Sequence, residues 1–177
     1  MKKNILSGFA IVLLLVIFSC SPSRNEMSDK ISKMELDMKN GPKVDTNAVS
    51  QLISAYQNFA SKYPSDSAAP ENLYKAASLA VGFNRGVQAV EIYANLINSY
   101  PQYEKIPECY FMQAFAYENI IGNIVKANEC YNLFLAKYPN HELADDAQAA
   151  IKFLGKTPEE MVHEFEKMNV DSLGGGK

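Results

Sequence analysis

The chain has 177 residues, a length typical of one domain, and 47% of them are hydrophobic, which is enough for a packed core. Its formal charge is −3, and the sequence contains no cluster of lysines or arginines. Nucleic-acid binding and attraction to anionic lipid both need such a cluster, so the composition argues against these two classes of partner.

The first twenty residues read as a targeting signal. Lys2 and Lys3 precede an apolar run at residues 9–18. This run is about half the length that a transmembrane helix needs, roughly 20 residues. The pattern therefore predicts a signal peptide over residues 1–19 rather than a membrane span.

The end of the apolar run predicts a lipid anchor. Its last residues are Ile17-Phe18-Ser19-Cys20, which resemble the lipobox of bacterial lipoproteins. This resemblance implies cleavage before Cys20, acylation of that cysteine (palmitate among the chains), and a short lipidated tether over residues 20–25. More than one acyl chain gives stable anchoring. The alternative is an ordinary secretory signal with an incidental cysteine.

The remaining chain shows helical periodicity. Met27, Ile31, Met34 and Met38 share one helical stripe, which predicts a helix over 26–39 that Gly41 and the following proline end. Asp45 or Thr46 can cap the next helix. Further helices are expected at about 45–61, 70–83, 86–99, 107–120 and 124–137, with Gly86 and Gly122 in the tight turns.

One short sequence motif, a tyrosine followed by a proline, recurs three times. Lys62-Tyr63-Pro64, Ser99-Tyr100-Pro101 and Lys137-Tyr138-Pro139 stand 37 and then 38 residues apart. Eight residues before each proline is a tyrosine, and five before is a large apolar residue. These positions share one face of a helix, and the proline ends that helix. A fixed period in this range indicates an array of helical repeats.

The repeat resembles the tetratricopeptide repeat (TPR). The matching positions are a small residue in the first helix, an alanine and an aromatic in the second, and a terminal proline: Ala77, Ala89, Tyr93 and Pro101, then Ala114, Ala127, Tyr131 and Pro139. The longer period and the absent tryptophan depart from the family pattern. The resemblance implies an all-α, right-handed TPR-like solenoid of about three helical hairpins plus capping helices, over residues 26–168. We expect residues 169–177 to be disordered.

Chemistry-bearing motifs are absent from the sequence. His141-Glu142 is followed by Asp145 where the HExxH zinc motif requires a second histidine. Cys109 and Cys130 lie about 7–8 Å apart if their helices form an antiparallel pair, which is too far for a disulfide. No nucleophile elbow or phosphate-binding loop occurs. We therefore expect neither an enzyme nor a cofactor or metal site.

The resemblance implies a groove lined by the first helices of the hairpins. In this family that groove binds peptides or partner helices. The candidate residues in this chain are Glu71, Tyr74, Lys75, Ser78, Glu108, Phe111, Met112, Phe115 and Glu118. The alternative is that Phe111 and Phe115 are core residues that pack against a C-terminal helix lying across the groove.

These features together resemble TPR lipoproteins of the bacterial envelope, namely the β-barrel-assembly lipoprotein and Tol–Pal coordinator families. A pilotin for secretin assembly is a third possibility of the same kind. The resemblance implies a non-catalytic adaptor, anchored at the periplasmic face of the outer membrane, that binds another envelope protein. The alternatives are a purely structural envelope spacer and an unrecognised ligand-binding protein or enzyme.

Overall fold

A computed structural model describes residues 22–41 and 45–174, with the side chains of Phe165 and of residues 168–174 left aside. The predicted signal peptide and Cys20 lie outside the described residues. Across the described ranges the structure contains eight α-helices and no strand. The helices are α1 (Arg24–Asn40), α2 (Thr46–Lys62), α3 (Ala68–Gly82), α4 (Gly86–Ser99), α5 (Ile106–Ala116), α6 (Ile124–Lys137), α7 (Ala144–Phe153) and α8 (Pro158–Gly174).

The helices form successive hairpins, α1–α2, α3–α4 and α5–α6, and each hairpin packs on the next. The second helix of each hairpin ends at the Tyr-Pro motif, as predicted. Tyr63, Tyr100 and Tyr138 adopt nearly the same backbone conformation (φ −125°, −133° and −134°) and donate their N–H to the carbonyl four residues earlier. Because the following proline disfavours α geometry at the tyrosine, each helix stops at the same point of its repeat.

The predicted helix faces form the core. Tyr56, Tyr93 and Tyr131 are buried, and the apolar residues three positions later, Phe59, Leu96 and Phe134, are fully buried. Ala77 and Ala114 are also buried, and their small side chains let the neighbouring helix approach closely. In α1, Ile31 is buried and the three methionines of the predicted stripe pack beside it. The expected all-α solenoid of helical hairpins is confirmed.

The ends of the solenoid differ from the predicted boundaries. α1 begins at Arg24, inside the predicted tether, because Ser23 and Glu26 form a capping box there. At the other end, α8 runs to Gly174 and so extends past residue 168, where we placed the start of a disordered tail. Residues 175–177 lie outside the described part.

The role predicted for Gly86 is wrong. Gly86 is the first residue of α4, and the left-handed residue of the preceding turn is Asn84, with φ 57°. A Cβ at Gly86 would lie 2.7 Å from Ile121 Cγ1 and 2.8 Å from Ile120 Cγ2, so the glycine permits close packing between repeats. Gly122 does adopt the predicted left-handed turn, with φ 72°. It ends a π-helical turn (Tyr117–Ile121) that continues α5.

Candidate protein-binding face

Each hairpin is joined internally by the hydroxyl of its buried tyrosine. Tyr56 donates to Glu35 of α1 over 2.6 Å, and Tyr131 donates to Glu118 of the π-helical turn over 2.8 Å. In the middle hairpin, the hydroxyls of Tyr93 and Ser78 lie 3.3 Å apart. Two of the predicted groove residues, Ser78 and Glu118, therefore position the second helix against the first.

Neighbouring hairpins are joined by the residue two positions after each Tyr-Pro proline. These residues are Asp66, Tyr103 and His141, and each contacts the first helix of the preceding hairpin. We call the three contacts the inter-repeat clasps: Asp66 with Arg24, Tyr103 with Glu71, and His141 with Glu108. Two predicted groove residues, Glu71 and Glu108, are engaged in them. The sequence signal for the clasps is their fixed position, two residues after each proline.

The clasp at Glu71 includes a lysine as well as the tyrosine. Its carboxylate accepts hydrogen bonds from Tyr103 Oη and, over 2.9 Å, from Lys105 Nζ. Burial acts to raise the pKa of Glu71, but these two hydrogen bonds and the attraction of Lys105 outweigh it and hold the pKa below its usual value. Glu71 is therefore ionised near neutral pH and neutralised within the protein.

The clasp at Glu108 is looser. His141 Nε2 lies 4.0 Å from Glu108 Oε1, while Nδ1 accepts a hydrogen bond from the Leu143 N–H over 3.2 Å. That bond leaves Nε2 as the ring nitrogen that can donate toward the carboxylate. The other carboxylate oxygen of Glu108 is buried without a hydrogen-bond partner among the described residues.

The predicted groove residues of α3 are occupied by contacts within the protein. Lys75 forms an ion pair of 2.8 Å with Glu35 of α1. The ring of Tyr74 packs edge-on against Tyr93 and Tyr103, and Lys105 Nζ lies 4.8 Å from its centroid. These α3 side chains are therefore paired within the protein.

The apolar residues of α5 divide into two kinds. Phe111 packs against Tyr131 and Phe134 of α6, with ring centroids 5.5 and 5.8 Å apart, so its aromatic partners among the described side chains are on α6. Met112 is partly buried against the main core. Phe115 is also partly buried, but it is not among the apolar residues that pack against either core cluster within the described ranges.

A cleft with a volume of about 580 Å³ lies between α2 and α4. None of its lining side chains is charged. They are Ser54, Gln57, Asn58, Ala60, Ser61, Pro64, Leu73, Asn95, Ser99 and Tyr100. The predicted groove residues of α3 and α5 do not line this cleft.

The described residues contain no cluster of histidine, cysteine and acidic side chains that could hold a metal ion. Both cysteines in this region are free thiols. Burial raises the pKa of Cys109 to about 12, so its thiol stays protonated and weakly reactive. Within the described helices, none combines the length and apolar character that a membrane crossing requires.

Comparison with known proteins gives one family. Residues 71–103 and 108–141 match the tetratricopeptide repeat family. No curated protein matches the chain. The two matches coincide with α3–α4 and α5–α6, together with the clasp residues Tyr103 and His141 that follow them. Repeats of this family suggest a scaffold for protein–protein interaction, and the protein is an all-α, TPR-like solenoid whose second and third hairpins match that family.

Proposed function

We propose that the protein is a non-catalytic adaptor, anchored by acylated Cys20 to the periplasmic face of the outer membrane, that binds another protein in outer-membrane or envelope assembly. The tetratricopeptide repeats support protein binding. The Ile17-Phe18-Ser19-Cys20 motif behind a charged and apolar N-terminus supports the anchor and the compartment.

The observation that best supports the binding role is the partial exposure of Phe115. It lies on α5, the first helix of the last complete hairpin, and it is partly exposed without packing on either core cluster. Met112, one turn earlier, has some exposed surface as well. Apolar residues spaced like these suit contact with another protein.

The charged residues of the predicted groove narrow the chemistry of the partner. Glu71, Lys75 and Glu118 are already paired within the protein. A partner that relied on ion pairs would have to break these contacts. We therefore expect the partner to contribute apolar side chains, as an amphipathic helix does with residues at i, i+3 or i+4.

Photo-crosslinking at Phe115 tests the adaptor role. A photoreactive amino acid at this position in living cells should capture an envelope protein, which mass spectrometry would identify. The matched control places the same amino acid at Val125, which is exposed on α6. Crosslinks from Phe115 only to this chain, or the same proteins captured from Val125, would contradict the proposal.

A pair of substitutions separates binding from folding. With the photoreactive amino acid moved to Met112, Phe115→Glu should abolish the crosslinked complex and change the urea midpoint little, because Phe115 packs on neither core cluster of the described residues. Phe111→Ala should lower the stability by about 2–4 kcal/mol, because Phe111 packs against Tyr131 and Phe134. A Phe115→Glu protein that still binds would exclude this face.

The anchor is tested separately. Cys20→Ser should move the protein from the membrane fraction to the soluble fraction, since it removes the acylated side chain. Intact-mass measurement of the wild type should show the mass of the attached acyl chains. Membrane retention of the Cys20→Ser protein would refute the anchor.

A further inference from the structure

The start of the described chain is fixed to one end of the first hairpin. The carbonyl oxygen of Pro22 accepts hydrogen bonds from Lys62 Nζ and, over 3.2 Å, from Tyr63 Oη. Arg24 forms a two-bond contact with Asp66, with distances of 2.9 and 3.3 Å. We call this set of contacts the N-terminal clasp; it includes the first inter-repeat clasp.

The clasp sits where the Tyr-Pro turns lie. Helices of a hairpin array run between two edges of the molecule. One edge contains the Tyr-Pro turns, and the opposite edge contains the turn at residues 83–85 and Gly122. The two edges are about 22 Å apart, the length of a helix of 15 residues such as α3.

We propose that the N-terminal clasp orients the solenoid on the membrane, with the Tyr-Pro edge of the first hairpin against the lipid headgroups. This inference rests on the proposed acylation of Cys20. Cys20 is only two residues before Pro22, and two residues span at most about 7 Å. The acyl chains therefore enter the bilayer next to Lys62, Tyr63 and Asp66. A flexible tether of many residues would let the protein take any orientation on the membrane. The single residue between Cys20 and Pro22 is too short for that.

The orientation determines where a partner can approach. Because the helices run from one edge to the other, they stand upright on the membrane when the Tyr-Pro edge faces it. The face formed by α3 and α5 then opens sideways, parallel to the membrane surface. A partner would therefore bind beside the protein, at the same membrane, and not on the side of the protein that points away from the membrane.

Lipid photo-crosslinking tests the orientation. The mature lipidated protein is purified with a photoreactive amino acid at Ser65, next to the clasp, or at Val87, at the opposite edge; both residues are exposed. Each is reconstituted into vesicles of phosphatidylethanolamine and phosphatidylglycerol. Labelling of phospholipid should be severalfold stronger from Ser65 than from Val87. Equal labelling, or stronger labelling from Val87, would overturn the orientation.

The clasp itself is tested by the double substitution Arg24→Ala and Lys62→Ala. It should reduce the difference between Ser65 and Val87 to little or nothing, while the protein remains on the vesicles. The matched control is Lys30→Ala with Lys33→Ala, which removes the same charge from α1 and should keep the difference. A clasp variant that keeps the full difference would overturn the role of the clasp.

Intact-mass measurement of each preparation distinguishes the two proposals. Protein without acyl chains would overturn the anchor and the orientation together. Protein with acyl chains that labels lipid equally from both edges would overturn the orientation alone.

Discussion

Each second helix buries a tyrosine whose hydroxyl meets a different acceptor. In α6, Tyr131 donates to the carboxylate of Glu118, and in α4 the Tyr93 hydroxyl meets that of Ser78 at a longer distance. Hydrogen bonds to charged groups contribute more than those between neutral groups. The same position of the repeat therefore contributes unequally to the stability of the two hairpins.

We predict that Tyr131→Phe lowers the free energy of unfolding by about 1–2 kcal/mol, and Tyr93→Phe by about 0.5–1 kcal/mol. The loss predicted for Tyr131→Phe lies near the lower end of the range for a hydrogen bond to a charged group, because Glu118 is partly exposed and can be hydrated. Urea denaturation of both variants measures the difference. A larger loss for Tyr93→Phe would show that the acceptor's charge does not control the contribution.

The carboxylate of Glu71 makes the stability depend on pH. Its folded-state pKa lies below the ordinary value of 4.5, so its contribution is present above that value and is lost as the pH falls through the lowered folded pKa. We predict that Glu71→Gln costs about 0.5–1 kcal/mol at neutral pH, a small value because water screens this side chain, and that this cost decreases as the pH falls through the lowered folded-state pKa.

Denaturation of the Glu71→Gln protein and the wild type at several pH values measures this dependence. Glu91→Gln is the control, because Glu91 is exposed on α4. A cost of Glu71→Gln that stays constant down to about pH 3 would show that the ionised carboxylate is not what stabilises the clasp.

Packing between α4 and the π-helical turn of the next hairpin depends on a glycine, which has no side chain, at position 86. Gly86 at the start of α4 faces Ile120 and Ile121 of the π-helical turn. We predict that Gly86→Ala destabilises the protein by about 1–3 kcal/mol, because the added Cβ forces α4 and the turn apart. Thermal and urea denaturation measure the change.

Gly82 is the matched control for this prediction. It ends α3, and a Cβ there would meet no atom within 4 Å. Gly82→Ala should therefore stabilise the protein, by about 0.4–1 kcal/mol, through the reduced freedom of the unfolded chain. Destabilisation by both substitutions would mean that helix geometry, and not the contact with Ile120 and Ile121, explains the effect at Gly86.

Buried residues are most numerous in three successive helices. α2, α3 and α4 have six, five and six of them, whereas α1 has one and α7 has two. In a linear array each hairpin contacts only its neighbours, so an inner hairpin is stabilised from two sides and an outer one from one side. Local opening should therefore be easiest at the ends.

We predict that amide hydrogen exchange is slowest in α3 and α4 and fastest in α1 and α8. Exchange followed by mass spectrometry of peptides measures this order. Substitution of Arg24 by alanine should speed exchange in α1 before any other helix, because it removes the bond to Asp66. Slowest exchange in α7 would contradict the nearest-neighbour picture.

The sequence by itself determined the repeat, the helices and the buried faces. The spacing of Tyr93, Leu96 and Pro101 predicts a helix, its inner side and its last residue, because local backbone geometry and periodicity fix all three. The two ends of the array were less accurate, since capping at Ser23 and the extension of α8 past residue 168 do not follow from the apolar pattern.

Only the tertiary structure decided what the predicted groove residues do. Glu71 and Glu108 were candidates for partner contact, and they are instead joined to Tyr103 and His141 of the following segment. Phe111 packs on α6, while Phe115 is left partly exposed. These outcomes depend on which side chains of different repeats meet, and the distance between repeats is set by the packing of whole helices. That is why Gly86, a turn glycine by its sequence, has its effect at an interface between hairpins.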